Sequence, residues 1–426
     1  MTPLSRTLLK GLLGLLFLAA LAVTLLAVAL FLTLRAAPGE WSHRLAFGPA
    51  RVDLSVLGMI RAAAHPLGMR ALEGRRWTTS IGTLRFSAGP VPDSLRIVCN
   101  PCSVDSRALA LERLRLPPVE WTVQRSGAND LHGDMRIGEV PSLWQARLRT
   151  RDLELDVVLT ETPVAAAYAV FRDAIPEAAS ARIGGRVAGL AHLALPSGKL
   201  VLKPRVEGFT VNGLGIESLA SVGALPACAK PIRRADASAL FGPWLPRAVV
   251  VAEDPRFFEH PGYDLAGMTA PWNGDASPRG SRTRVVRTLS QRLAGLLLDR
   301  DEPTLAGALR ELLFAVELDR ELGKPRVLTQ YLARAPWGAG QCGADAASLH
   351  WFGKRAVALG PLESAWLASL LRDPADELRR AAQQRVPDRP RMKAILSALP
   401  TLSRPRRKAL IDELETWTPP VEPATR

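Results

Sequence analysis

Three successive patterns of apolar and polar positions divide this chain of 426 residues. The first is continuous. Gly11 to Leu34 is 24 positions without a charge, preceded by Arg6 and Lys10 and followed by Arg35. As a helix it would be about 36 Å long at 1.5 Å per residue, enough to span a bilayer. It is also longer than the apolar core of a usual cleaved signal peptide. The pattern predicts an uncleaved anchor over residues 1–36, with the short basic N-terminus cytoplasmic and the remainder outside the cytoplasm.

The second pattern, from Trp41 to Val222, alternates with a period of two between Gly, Pro and Asn-Asp breaks. Runs at Ile81–Phe86, Val119–Val123, Trp144–Leu159 and Lys199–Phe209 predict antiparallel strands, with one helix over Pro163–Ser180. A Pro-rich linker over 223–243 leads to the third pattern, which is helical through 244–418. There Leu305, Ala308, Leu309, Leu312, Leu313 and Val316 recur at helical spacing and form one apolar stripe. Further helices are expected at Pro325–Arg334, Gly343–Phe352, Gly360–Leu371 and Arg404–Thr416. The fold class is α+β: an N-terminal transmembrane helix, a β-rich extracytoplasmic domain over 41–222 and a mostly α-helical domain.

Composition is that of a folded protein, 47% hydrophobic, and the net charge is +14. Such an excess suits an anionic partner, a phospholipid surface or a pyrophosphate group. No zinc-finger spacing, RNA-binding aromatic signature or lysine run supports nucleic acid. Four cysteines stand at Cys99, Cys102, Cys228 and Cys342. Cys99-Asn-Pro-Cys102 lacks the second pair of a zinc site and reads as a local disulfide, with an inert or free pair as the alternative. Cys228 and Cys342 are candidates for a second bond.

The stretch with the most chemistry is Leu245–Asp264. Pro246 opens an apolar run, Ala248 to Ala252, that reads as a buried helix or strand and closes on Glu253 and Asp254. Pro255 disfavours helical backbone at Asp254 and ends the element there. Glu253 is therefore expected to be partly desolvated, a setting that suits a carboxylate to proton abstraction. The plain alternative is an acidic helix end beside a hydrophobic plug.

The order E-D-x-x-F-x-x-H-x-G-x-D, carried by Glu253, Asp254, Phe257, His260, Gly262 and Asp264, resembles the first signature of the family-51 glycosyltransferases, the peptidoglycan transglycosylases. The likeness covers roughly Leu245–Pro374. Glu311 falls where the third motif carries a second catalytic glutamate, although it lies about 135° from the centre of the apolar stripe at 100° per residue, as a solvated helix residue would. Lys324, Leu328, Tyr331 and Leu332 match a later motif in which Ala333 replaces an asparagine. Gly343, Ala346, Ala347 and Trp351-Phe352-Gly353-Lys354 match another, and Leu362-Glu363-Ser364-Ala365 a third.

The second motif departs from the family pattern. It keeps Thr288, a hydroxyl at Ser290 and Gln291, but Val285, Val286 and Arg287 replace Gly-Gly-Ser and Arg292 replaces a glutamine. Gly295 and Leu296 stand for Lys-Asn, and Gly307-Ala308 for the Arg-Lys pair of the third motif. Arg282, Arg284, Arg287, Arg292 and Arg310 are candidates to replace the lost phosphate-binding charge. If Arg287 and Arg292 share a helix they stand about 140° apart, so only Arg292 is expected to face a cleft.

The resemblance implies a lysozyme-like fold and a single-pass protein of the bacterial inner membrane. This protein would polymerise lipid II with release of undecaprenyl pyrophosphate. Its partners would be lipid II, the growing glycan strand, membrane phospholipid and other cell-wall synthesis proteins. Glu253 and Glu311 would be catalytic. Asp254, Arg287, Thr288, Ser290, Gln291, Arg292 and Arg310 would bind substrate. A divalent cation such as Mg2+ would be a possible helper of the leaving group. No S-x-x-K or K-T-G of a transpeptidase is present, so the enzyme is expected to be monofunctional. The other classes left open are a degenerate transglycosylase fold that binds lipid-linked precursors, and a lipid-handling scaffold centred on the β-rich region.

Overall fold

A computed structural model describes residues 35–36, 40–47, 50–106, 111–216, 237–270, 272–274, 286–298, 304–384 and 387–420, together with Leu21. The expected anchor over Gly11–Leu34, Leu21 apart, and most of the linker lie outside the described residues. Among the described residues, no helix is long and apolar enough to cross a membrane.

The alternating half of the sequence forms strands. A hairpin of β1 (Ser42–Phe47) and β2 (Ala50–Ser55) precedes helices α1 (Val56–Ala63) and α2 (Pro66–Leu72). Next come β3 (Arg76–Thr79), β4 (Gly82–Ala88), β5 (Ser94–Ser106), β6 (Leu111–Leu116), β7 (Val119–Arg125), β8 (Asp130–Ile137), β9 (Val140–Leu148) and β10 (Leu153–Pro163). After α3 (Val164–Ala169) and a short 3-10 turn at Pro176–Ala179 the sheet ends with β11 (Arg182–Leu195) and β12 (Lys199–Asn212). The ten-stranded sheet runs β12-β11-β10-β9-β8-β7-β5-β4-β3, with β6 on β5.

Period-two burial is plainest in β9, where Val140, Ser142, Trp144, Ala146 and Leu148 are buried and their neighbours are not. The expected single run Trp144–Leu159 is instead two strands. Arg149 donates to the Asp152 carbonyl at 2.8 Å, closing a turn, and β10 folds back so that Leu153 faces Leu148 and Asp156 faces Gln145. The expected helix Pro163–Ser180 is also divided, into α3 and the turn that begins at Pro176. Proline supplies no N–H at that position to continue a helix.

The helical half contains α4 (Ala237–Phe241), α5 (Leu245–Glu253), α6 (Leu265–Thr269), α7 (Leu289–Leu298), α8 (Leu305–Arg334), α9 (Ala344–Phe352), α10 (Pro361–Leu370), α11 (Pro374–Gln384), α12 (Arg389–Ala398) and α13 (Arg404–Leu414). Two compact units result, and they do not follow chain order. One comprises residues 1–102, 117–160 and 190–202, with a core of Leu57, Met69, Phe86, Leu95, Leu131, Trp144, Ala146 and Leu148. The other comprises residues 103–116, 161–189 and 203–426.

In the second unit, α8 is covered on two faces. Phe314 and Leu318 enter the main helical core with Phe257, Leu289 and Trp366. Leu312, Leu313 and Val316 pack against Val164, Tyr168, Ile175, Phe209 and Val211. This double cover explains why residues off the predicted stripe are buried as well. The helix breaks at Gly323 (φ 72°, ψ 158°), and Pro325 follows in the first turn of its second segment.

Candidate active site

Glu253 is the last residue of α5. Pro246 sits in the first turn of that helix, where its missing N–H costs nothing, and Ala248, Val249 and Val250 anchor it in the core. Asp254 leaves the helix with φ −157° and ψ 74°, as a residue before proline should. The Glu253 side chain is 2% exposed and both carboxylate oxygens meet arginines. Arg292, on α7, reaches Oε2 at 2.7 Å, and Arg391, on α12, donates to Oε1 at 2.6 Å. Sequence reasoning anticipated a desolvated carboxylate and did not foresee these two cations.

Glu311 is buried, not solvated as its angle from the stripe suggested, and Arg287 pairs with it at 2.9 Å. Arg287 precedes α7, which begins at Leu289, so the helical angle between Arg287 and Arg292 does not apply. The two arginines of the altered motif therefore each meet one of the two glutamates. Burial works against the charge of Arg292. The carboxylates of Glu253, Glu311 and Asp254 and the phenol of Tyr331 outweigh it and hold the guanidinium pKa above its ordinary value. Burial pushes the Tyr331 phenol up, so it stays neutral beside Arg292 and Glu253.

The remaining motif residues build the support. Asp254 accepts from His260 Nε2 at 3.0 Å and from the Leu289 amide at 2.9 Å, tying the signature loop to the start of α7. Thr288 and Gln291 form a reciprocal cap there. The Gln291 amide donates to Thr288 Oγ1 at 3.2 Å, and the Thr288 amide donates to Gln291 Oε1 at 3.0 Å. Thr288 also donates to the Gly262 carbonyl at 2.7 Å. Ser290 donates to Asp319 at 2.8 Å, and Asp319 pairs with Lys324 at 2.5 Å. Lys324 in turn lies 4.5 Å over the Phe257 ring and 3.4 Å from His260 Nδ1. Burial raises the Asp319 pKa against the opposing pull of Lys324, Ser290 and His260.

Thus Asp254, Thr288, Ser290 and Gln291, all candidates for substrate contact, are buried in a hydrogen-bonded frame. Arg310 turns elsewhere: it pairs with Glu177 at 3.1 Å and donates to the Ala174 carbonyl. Arg282 and Arg284 lie outside the described residues. Arg391 escaped sequence reasoning because it lies beyond the motif series. Asp388 capping the Arg391 amide at 3.0 Å, with Pro390 in the first turn, signals only that a helix starts there.

A resident divalent cation does not fit this donor set. No group of three or more His, Cys, Asp or Glu side chains converges among the described residues, and both glutamates are engaged by arginines. The Cys99–Cys102 disulfide is present, with a Cα–Cα distance of 5.3 Å, and Cys342 is also disulfide-bonded. Cys228 lies outside the described residues. A concavity on the sheet is lined by Asp130, His132, Gln145 and Arg147 among others. Its charges pair with one another, as in Arg147 with Asp130 at 2.9 Å, and it brings no catalytic constellation together.

Residues 232–399 match the sequence model of the Transglycosylase family. A biosynthetic peptidoglycan transglycosylase of Nitrosomonas eutropha is 37% identical over 157 residues, covering 37% of this chain and 63% of that protein. Its namesake in Nitrosomonas europaea is 36% identical over 161 residues, with the same coverage. A third, from Alcanivorax borkumensis, is 35% identical over 131 residues, covering 31% of this chain and 53% of the relative. The chain thus spans less than two thirds of the length of these relatives. The matched segment contains both glutamates, their three arginines and the buried frame, so the likeness to the transglycosylase family falls on the residues of the site.

Proposed function

We propose that the protein is a membrane-anchored peptidoglycan glycosyltransferase that polymerises lipid II in the cell envelope and releases undecaprenyl pyrophosphate. The observation that carries this reading is the meeting of Glu253 and Glu311 with Arg287, Arg292 and Arg391 in a chain whose signature stretch matches the family. Glu253 takes the proton of the acceptor sugar's 4-hydroxyl. The freed oxygen attacks the anomeric carbon of the lipid-linked donor, with inversion, and the pyrophosphate departs with the bond's electron pair.

Arginines stabilise the charge that develops on that leaving group, a contact typically worth about 10²–10³ in rate. Arg287, Arg292 and Arg391 are the cations placed for it, in lieu of the lysine that Gly295 replaces. Glu311 holds Arg287 in position. Gly11–Leu34 supplies the anchor, which puts this chemistry at the membrane surface, where the lipid-linked donor and the growing strand lie.

The test is polymerisation of lipid II by the purified full chain in detergent. Glu253→Gln is expected to lower polymer formation by about 10²–10⁴, with a melting curve recorded on the same sample. A wild-type protein that makes no polymer overturns the enzymatic reading.

A further inference from the structure

We infer that Arg391 and Arg292 form an electrostatic latch on Glu253 that the donor's diphosphate opens. The two arginines serve in turn as the counter-ions of the base and as the binding site of the leaving group. The inference rests on the reading of Glu253 as the base.

Four observations lead to it. Both oxygens of the Glu253 carboxylate are engaged, one by each guanidinium, at 2.6 Å and 2.7 Å. The arginines are also the outer partners, since their side chains are 23% and 19% exposed while that of Glu253 is 2% exposed. Arg292 and Arg391 come from separate helices, α7 and α12, joined to each other here through Glu253. Finally, Arg287 on Glu311 adds a third guanidinium to the same cluster, a grouping that favours an anionic ligand.

A diphosphate presents several acceptor oxygens in the geometry a guanidinium fork prefers. Drawing the arginines onto those oxygens takes them off Glu253 and leaves its carboxylate open to the acceptor hydroxyl only when a donor is in place. The base would then be active in the presence of a leaving group and quiet without one. Arg391 acts here both as a diphosphate-binding residue and as a positioning residue for the base.

The competition has a signature apart from turnover. Inorganic pyrophosphate binding to the full chain in detergent would be measured by calorimetry for the wild type, Glu253→Gln, Arg391→Ala and the double variant. Glu253→Gln removes the internal competitor and is expected to bind pyrophosphate about tenfold more tightly, the scale of one charge-assisted hydrogen bond. Arg391→Ala is expected to bind more weakly. In that background the gain from Glu253→Gln should shrink to about threefold or less, because one arm of the latch is gone.

An unchanged affinity in Glu253→Gln overturns the latch. So does an equal gain in both backgrounds, which would report only the loss of a nearby negative charge. If a melting curve shows Arg391→Ala unfolded, Arg391→Lys replaces it in the same cycle. Lysine cannot reproduce the fork, so a reduced gain is again expected and an equal gain again overturns the latch. Polymerisation measured in parallel separates the two claims: a positive cycle without polymer removes the glycosyltransferase reading and leaves the ion exchange standing.

Discussion

Replacing Glu253 by glutamine leaves two largely buried guanidinium groups without a carboxylate between them. Breaking a buried pair by removing one partner costs several kcal/mol, and partial exposure of the arginines reduces that. A loss of about 1–3 kcal/mol is expected, read from urea unfolding. An undiminished stability would mean that the arginines find other acceptors. Asp264 offers a charge test at one residue. It caps α6 through the Gly267 amide at 3.1 Å and pairs with Arg256. Burial pushes its pKa up, but the Gly267 amide and Arg256 outweigh this and hold it below the ordinary value. Its contribution is therefore complete above the unfolded carboxyl pKa, about 3.9, and lost as pH falls through the lower folded value. Asparagine also caps well, so Asp264→Asn should cost about 0.5–1 kcal/mol at neutral pH. Its melting temperature should converge with wild type in acid, and a difference that persists at low pH would contradict this account.

Between elements, the helix that carries Glu311 is fastened from outside the main helical core. On α8, Glu317 accepts from the Leu214 amide at 3.0 Å and the Gly213 amide at 3.2 Å, while the Leu309 carbonyl accepts from Tyr168 at 3.0 Å. Glu317→Leu leaves two amides without their acceptor and is expected to destabilise by about 2–4 kcal/mol, whereas Glu317→Gln keeps one acceptor oxygen and should cost less. Equal costs in urea would remove the hydrogen bonds from the explanation. Gly262 fixes another approach: its φ is +87°, and a Cβ there would meet the Ala315 carbonyl oxygen at 2.7 Å. Gly262→Ala is expected to lose about 1–3 kcal/mol.

These contacts also mark how far sequence could be read. The strands, the end of α5 and the apolar stripe of α8 were legible because periodicity and proline act locally. The burial of Glu311 was not, because the second cover of α8 comes from Tyr168, Phe209 and Val211, 100 or more positions away. Thr288 and Gln291 matched a motif at the right spacing, yet that spacing serves a helix cap as well as a ligand. Arg391 reaches Glu253 across 138 positions, a distance that no local pattern encodes.

At the scale of the whole molecule, the strand segments of 161–189 and 203–216 share a compact unit with the helices. A chain beginning at residue 223 would strip Leu312, Leu313 and Val316 of their cover. It is therefore expected to melt lower and to bind a hydrophobic dye. A cut at 160 should be milder, and equal behaviour of the two truncations would refute the packing account. The arginine pairing has a further consequence, for ancestry. Restoring the family's glutamine at Arg292 alone would deprive Glu253 of one counter-ion, and restoring the serine at Arg287 would do the same to Glu311. A lysine returned at Gly295 alone would add a cation beside α7 that already holds one. These positions are therefore expected to be epistatic, each single reversal costing more than the reversals made together.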